Sequence, residues 1–130
     1  MKLSSSSFTD GAPIPGEFAF CIPAAEGHVC LGANRNPQLA WDEVPAGTKS
    51  FALICHDPDV PSKGDDVNVE GRSVPASLPR VDFFHWVLTG LPADLRSIDA
   101  GQFSSEVTAG GKAGPAAALG SLAGINDYTA

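Results

Sequence analysis

The run His56-Asp57-Pro58-Asp59-Val60-Pro61-Ser62 sets two carboxylates two residues apart, directly after the apolar stretch Phe51 to Cys55. Residues two apart in an extended chain share a face, so Asp57 and Asp59 project to one side if the strand persists through Pro58. Pro58 supports that extension by fixing its own φ and by keeping Asp57 out of the helical region. It also lacks an N–H, which suits the end or edge of a sheet, where a ligand can approach. Asp57 and Asp59, with the exit stiffened by Pro61, are therefore expected at a rim. Taken alone, the segment also fits solvated turn aspartates that cap local backbone.

His85 shifts the balance. It lies among Phe83, Phe84 and Trp86, and a histidine in such company requires partners for its ring nitrogens. If the two apolar runs are adjacent strands, His85 can stand beside Asp57. An Asp/Asp/His cluster is able to act as general acid and base, so a small hydrolase is one reading. Against it, Ser62 has no Gly-x-Ser-x-Gly context and no oxyanion-hole pattern, and no catalytic residue is assigned. A metal is not expected either. His28-x-Cys30 and Cys55-His56 carry suitable atoms, but neighbouring side chains in a strand face opposite ways and no paired CxxC spacing occurs. No cofactor is expected. His56 is placed exposed beside the pocket mouth, and Arg72 and Arg80 are candidates to attract an anion.

The elements that must position these residues are strands. Ile14 to Cys21 alternates well enough for an edge strand with Pro15 at its rim. Asn34, Asn36 and Pro37 make a turn into a short strand, with Leu39 and Trp41 on one face. Pro45 to Gly47 form a turn into a strand apolar on both faces, expected to be central and covered on both sides, with Cys55 a small buried hydrophobe. The run Val81 to Pro92 puts Phe83, His85 and Val87 on one face and Phe84, Trp86 and Leu88 on the other. Residues 61 to 80 form a long polar connection, functional or mobile. Residues 92–130 are a Gly/Ala-rich loop or tail, able to order only by draping over the rest. The fold class is all-β, an antiparallel β-sandwich in one domain spanning 1–130.

The combination of Asn34 to Pro61 with Phe83-Phe84-His85-Trp86-Val87-Leu88 and Gly124-Ile125-Asn126-Asp127-Tyr128 resembles the phosphatidylethanolamine-binding protein family, in its bacterial Raf-kinase-inhibitor-like branch. The resemblance rests on a DPDxP motif followed downstream by His-Trp on a strand, and it implies Greek-key connections within the sandwich. It further implies that Asp57, Asp59, Pro61 and His85 line a small pocket for phosphate, a phosphoethanolamine headgroup or a small carboxylate. Trp86, Asp127 and Tyr128 would support that pocket. A Gly-Pro-rich segment and a further strand are expected after the NDY element, so the chain is read as the N-terminal portion of the family domain. A homodimer, or association with a complementing chain, is expected to cover what that leaves open. A kinase-inhibitor-like regulatory role is implied by the family label, with an interaction module as another reading.

Composition narrows the partners. The 130 residues carry a net charge of −7 and only eight Lys and Arg, against nucleic acid or an anionic membrane surface as partner. No apolar stretch reaches the length of an integral membrane segment and the N-terminus lacks a signal-like apolar run, so a cytoplasmic location is the expectation. Three cysteines, Cys21, Cys30 and Cys55, rule out a complete set of intrachain disulfides. Cys21 and Cys30 could pair across a hairpin, but a reduced pair is the expectation.

Overall fold

A computed structural model describes residues 1–129. It is nearly all-β: β1 (Lys2–Ser4), β2 (Cys21–Pro23), β3 (Val29–Leu31), β4 (Leu39–Asp42), β5 (Ser50–Pro61), β6 (Arg80–Pro92), β7 (Ser97–Ile98) and β8 (Leu122–Ala123), with single 3₁₀ turns at Gly16–Phe18 and Ala118–Gly120. The strands form antiparallel sheets in the orders β1-β4-β7, β2-β3 and β5-β6-β8.

The core lies where the two three-stranded sheets meet. Trp41 and Ile98 from one sheet pack with Phe51, Leu88 and Leu91 from the other, and Leu39, Leu53, Trp86 and Phe103 surround them. Trp41 meets Phe51 edge-on at 5.4 Å, an arrangement that contributes about 0.5–1.5 kcal/mol beyond the area buried. Leu39 and Trp41 share the inward face of β4 as their spacing requires. Gly47, at φ +82, makes the turn into β5, and the Thr48 N–H donates to the Pro45 carbonyl. Residues 97–104 drape over this core. Buried Asn36 holds them: its Nδ2 donates to the Asp99 carbonyl at 2.9 Å, and its Oδ1 accepts from the Phe103 and Ser104 N–H groups.

Several sequence expectations are corrected. Ile14 to Cys21 is not a strand; Phe18 N–H closes on the Pro15 carbonyl in a 3₁₀ turn, and pairing begins only at Cys21. Lys2–Ser4, with no strand signal of its own, is zipped to β4 with Leu3 opposite Trp41. β5 is an edge strand rather than a covered central one, with Ile54 57% exposed and Cys55 also exposed. Cys21 and Cys30 are free thiols one register step apart, Cys21 opposite Leu31 and Cys30 opposite Ile22. Directly paired residues share a face and neighbours do not, so these two sulfurs point to opposite sides of the hairpin. The connection 62–79 is a chain of turns, closed at its base by the Ser62 N–H on the Pro79 carbonyl.

Candidate functional site

The β5–β6 pair is irregular, and its irregularities build the site. Cys55 stands opposite Trp86, His56 opposite Phe84 and Asp57 opposite Phe83, so β6 holds one extra residue, His85, where β5 holds none. Such a bulge re-aims a side chain and lets consecutive residues lean to one face. Cys55 and Asp57 lie on the same face of β5, hence Trp86 and Phe83 do too, contrary to plain alternation along 83–88. Trp86 turns into the core against Phe103, with ring centroids 5.6 Å apart. His85 leans toward Phe83, centroids 5.0 Å apart, and brings its Nε2 3.7 Å from Oδ2 of Asp57. Both side chains of this pair are partly exposed.

Asp57 and Asp59 do not act alike. A second shift, between Asp57 and Val60, adds a residue to β5 and ends the two-residue alternation. The Asp59 N–H donates to Oδ1 of Asp57 at 2.9 Å, an Asx turn over Pro58. The Asp59 carboxylate is highly exposed and lies 3.9 Å from Nε of Arg80. Pro61 stands opposite Arg80, beyond the bulge. Arg72 is bound within its own loop to Asp66 at 2.8 Å. Neither arginine is therefore a free cation aimed at the histidine. His56 is not at the mouth of the site: it stacks on Phe84 at 4.8 Å and bonds Asp82 at 2.8 Å on the opposite face.

The segment after β8 closes over the pair. Continuing along the β6 edge, the Gly124 N–H donates to the Val87 carbonyl, Asn126 Nδ2 to the His85 carbonyl, and the Asp127 N–H to the Phe84 carbonyl. Asp127 Oδ2 accepts the Phe84 N–H at 2.6 Å. Asn126 Oδ1 accepts from the N–H groups of Tyr128 and Thr129, turning the chain so that the Tyr128 ring meets Phe83 at 4.9 Å, Phe20 at 5.5 Å and His85 at 5.6 Å. Packing of the phenol among these rings raises the Tyr128 pKa above its ordinary value, with the charges of Cys21 and Asp57 adding to the shift. The Cys55 thiol is likewise raised, by desolvation first and by the Asp57 charge second.

Asn126, Phe20 and Cys21 are not among the residues the sequence assigns to the site. Asn126 carried a readable signal, since an Asx residue two before an aromatic favours a turn; Phe20 carried none. Two cavities, of 380 and 210 Å³, are lined by other residues, the first by Lys112, Pro115, Ile125 and Thr129 and the second by Leu3, Trp41 and Ile54. The Asp57–His85 pair stands on the partly exposed surface of the sheet. Among the described residues no three metal-ligating side chains gather, and no helix is long and apolar enough to cross a membrane.

The description "Phosphatidylethanolamine-binding protein" matches residues 4–130. The chain is 38% identical over 101 residues to "UPF0098 protein YbhB" of Escherichia coli, covering 78% of this chain and 50% of that one. It is 32% identical over 99 residues to a "UPF0098 protein" of Methanothermobacter thermautotrophicus, covering 76% and 47%. A Mycobacterium tuberculosis protein named "Putative lipoprotein LppC" is 33% identical over 102 residues, covering 78% and 36%. The chain thus spans about half the length, or less, of these relatives. It belongs to the phosphatidylethanolamine-binding protein family.

Proposed function

We propose that this chain is a ligand-binding protein whose site is the Asp57–His85 pair under Tyr128, and that it accepts a compact anion: phosphate, the phosphate of an ethanolamine headgroup, or a small carboxylate. The observation that carries this reading is the 3.7 Å approach of His85 Nε2 to Asp57, on a partly exposed surface. A lone carboxylate repels an anion; a carboxylate that holds an imidazolium presents a donor to it. An imidazolium carries two N–H groups, so with Nε2 toward Asp57 the other is left for an incoming oxygen. Asp59 and Pro61 shape the turn beside the pair, Asp127 fixes the Phe84 backbone, and Tyr128 walls the site. In this reading the two three-stranded sheets are part of a Greek-key β-sandwich, the protein works in the cytoplasm, and any kinase-inhibitor-like role would act through this surface site.

The mechanism sets the sign of the pH dependence. Protonated His85 is the binding form, so affinity for phosphate or phosphoethanolamine falls as pH rises through the titration of the ring. Calorimetric titration at several pH values tests it. Asp57→Asn and His85→Ala should each reduce affinity by roughly tenfold or more, the loss expected for a hydrogen bond to a charged group. A flat pH profile would sink the mechanism. The hydrolase reading has no nucleophile to support it; turnover of esters or phosphoesters that vanished in both variants would revive it.

A further inference from the structure

Asp10-Gly11 is the one aspartate–glycine step in the chain, and no asparagine is followed by glycine. It forms the middle of an exposed turn in which the Ala12 N–H donates to the Thr9 carbonyl at 3.0 Å. Gly11 takes φ +75, the left-handed value that the third residue of a type II turn requires. The turn employs the N–H of Ala12 and leaves that of Gly11 idle: among the described residues no backbone carbonyl accepts it. Nothing lies within 4 Å of where a Gly11 side chain would begin, so the amide nitrogen is open to approach.

Other Asp and Asn residues have their reacting atoms engaged. Asp57 is followed by Pro58, which has no N–H. Asp66 accepts from Arg72, and the Val67 N–H after it donates to the Gly64 carbonyl. The Asn126 amide donates to the His85 carbonyl, and the Asp127 N–H after it donates to the Phe84 carbonyl.

We propose that Asp10 is a modification site, at which the aspartate isomerises spontaneously to isoaspartate. The Gly11 nitrogen bonds to Cγ of Asp10 as the carboxyl hydroxyl leaves; that hydroxyl takes the nitrogen's proton and departs as water, closing a five-membered imide. Water then adds to one of the imide carbonyls and cleaves its bond to nitrogen. Opening at Cγ restores aspartate. Opening at the α-carbonyl carbon leaves the main chain running through Cγ and frees the α-carboxylate. A water is lost and a water is gained, so no oxidant or co-reactant enters. The isomer carries an extra main-chain atom inside the turn, which breaks the short span between Thr9 and Ala12. That turn joins two anchored stretches, Ser5 to Ser7 bonded to Gln38 and the 3₁₀ turn at Gly16–Phe18. The freed carboxylate, on an exposed turn, is an acceptor for an enzyme that esterifies isoaspartate with a sulfonium methyl donor.

Ageing of the full chain in water enriched in heavy oxygen, then cleavage after Glu17 and electron-transfer fragmentation of peptide 1–17, tests this. The expected result is isoaspartate at position 10 carrying heavy oxygen, formed faster than at Asp65, which is also exposed but is followed by Asp66 instead of glycine. Asp10→Glu keeps the charge but needs a larger ring, and Gly11→Ala crowds the nitrogen; each should lose the product, while Asp10→Asn should form it faster, with ammonia leaving in place of water. Because the turn is exposed and outside the core, thermal melts of these variants should match that of the wild type. No isoaspartate at position 10, formation no faster than at Asp65, or a yield undiminished in Gly11→Ala overturns the proposal.

Discussion

Asn126 and His85 are joined by a hydrogen bond from Nδ2 of the first to the backbone carbonyl of the second at 3.1 Å, tying the post-β8 turn to the bulge in β6. The bond links the two halves of the site. The bulge decides where the imidazole points, and the turn decides what lies over it. Disturbing either should be felt at the other.

Tyr128 reports on this coupling because it is the only tyrosine in the chain. Its titration followed by ultraviolet absorbance should show one transition above the ordinary tyrosine value, displaced by packing first and by the Cys21 and Asp57 charges second. Asp57→Asn and Cys21→Ser should each lower it. The folded-state value is raised, so the neutral phenol is favoured by folding. This contribution is complete below the unfolded-state value of about 10 and is lost as pH rises through the folded value. Chemical denaturation across that alkaline range should show the decline in wild type and a shallower one in Tyr128→Phe.

Asp127→Ala removes the acceptor for the Phe84 N–H at an exposed position. The expected cost is about 1 kcal/mol of global stability, in the ordinary range for one hydrogen bond. The local effect is larger: Tyr128 should titrate closer to its ordinary value and phosphate affinity should drop. A variant that destabilised the chain yet left the Tyr128 titration in place would show that Asn126 alone sets the turn.

Asn36→Ala should be among the more damaging single changes. It strips partners from the Phe103 and Ser104 N–H groups and from the Asp99 carbonyl in one step. Each buried polar group left unpaired costs about 1–3 kcal/mol. Urea denaturation measures the loss, and amide exchange should quicken over residues 97–104 before it does over β6.

Cys55 should alkylate slowly for a thiol with so much open surface. Desolvation and the Asp57 charge both raise its pKa, leaving less thiolate at neutral pH. Peptide mass mapping after a short iodoacetamide exposure checks this, and Asp57→Asn should speed labelling of Cys55 a few-fold. Equal labelling in the two proteins would discount the charge.

Local chemistry was enough to read much of this protein. The Leu39/Trp41 spacing, the Pro-Gly turn into β5 and the family motifs depend on residues close in sequence, where side-chain period and proline geometry operate directly; the His85–Asp57 neighbourhood needed only that two apolar runs be adjacent strands. What alternation along one strand cannot contain is an inserted residue. The bulge at His85 moves Trp86 into the core beside Phe83's face, and the one after Asp57 sends Asp59 toward Arg80; both arise from how β5 and β6 fit each other.

The sequence by itself therefore determined the strands' character, the family and which residues are candidates for the site, because these are properties of composition and short-range spacing. Only the tertiary structure decided which face each group occupies, that Tyr128 meets Phe20 as well as His85, and that β5 lies at an edge among the described residues. Those outcomes depend on register and on long-range pairing, and no single segment of the chain encodes a contact with a residue a hundred positions away.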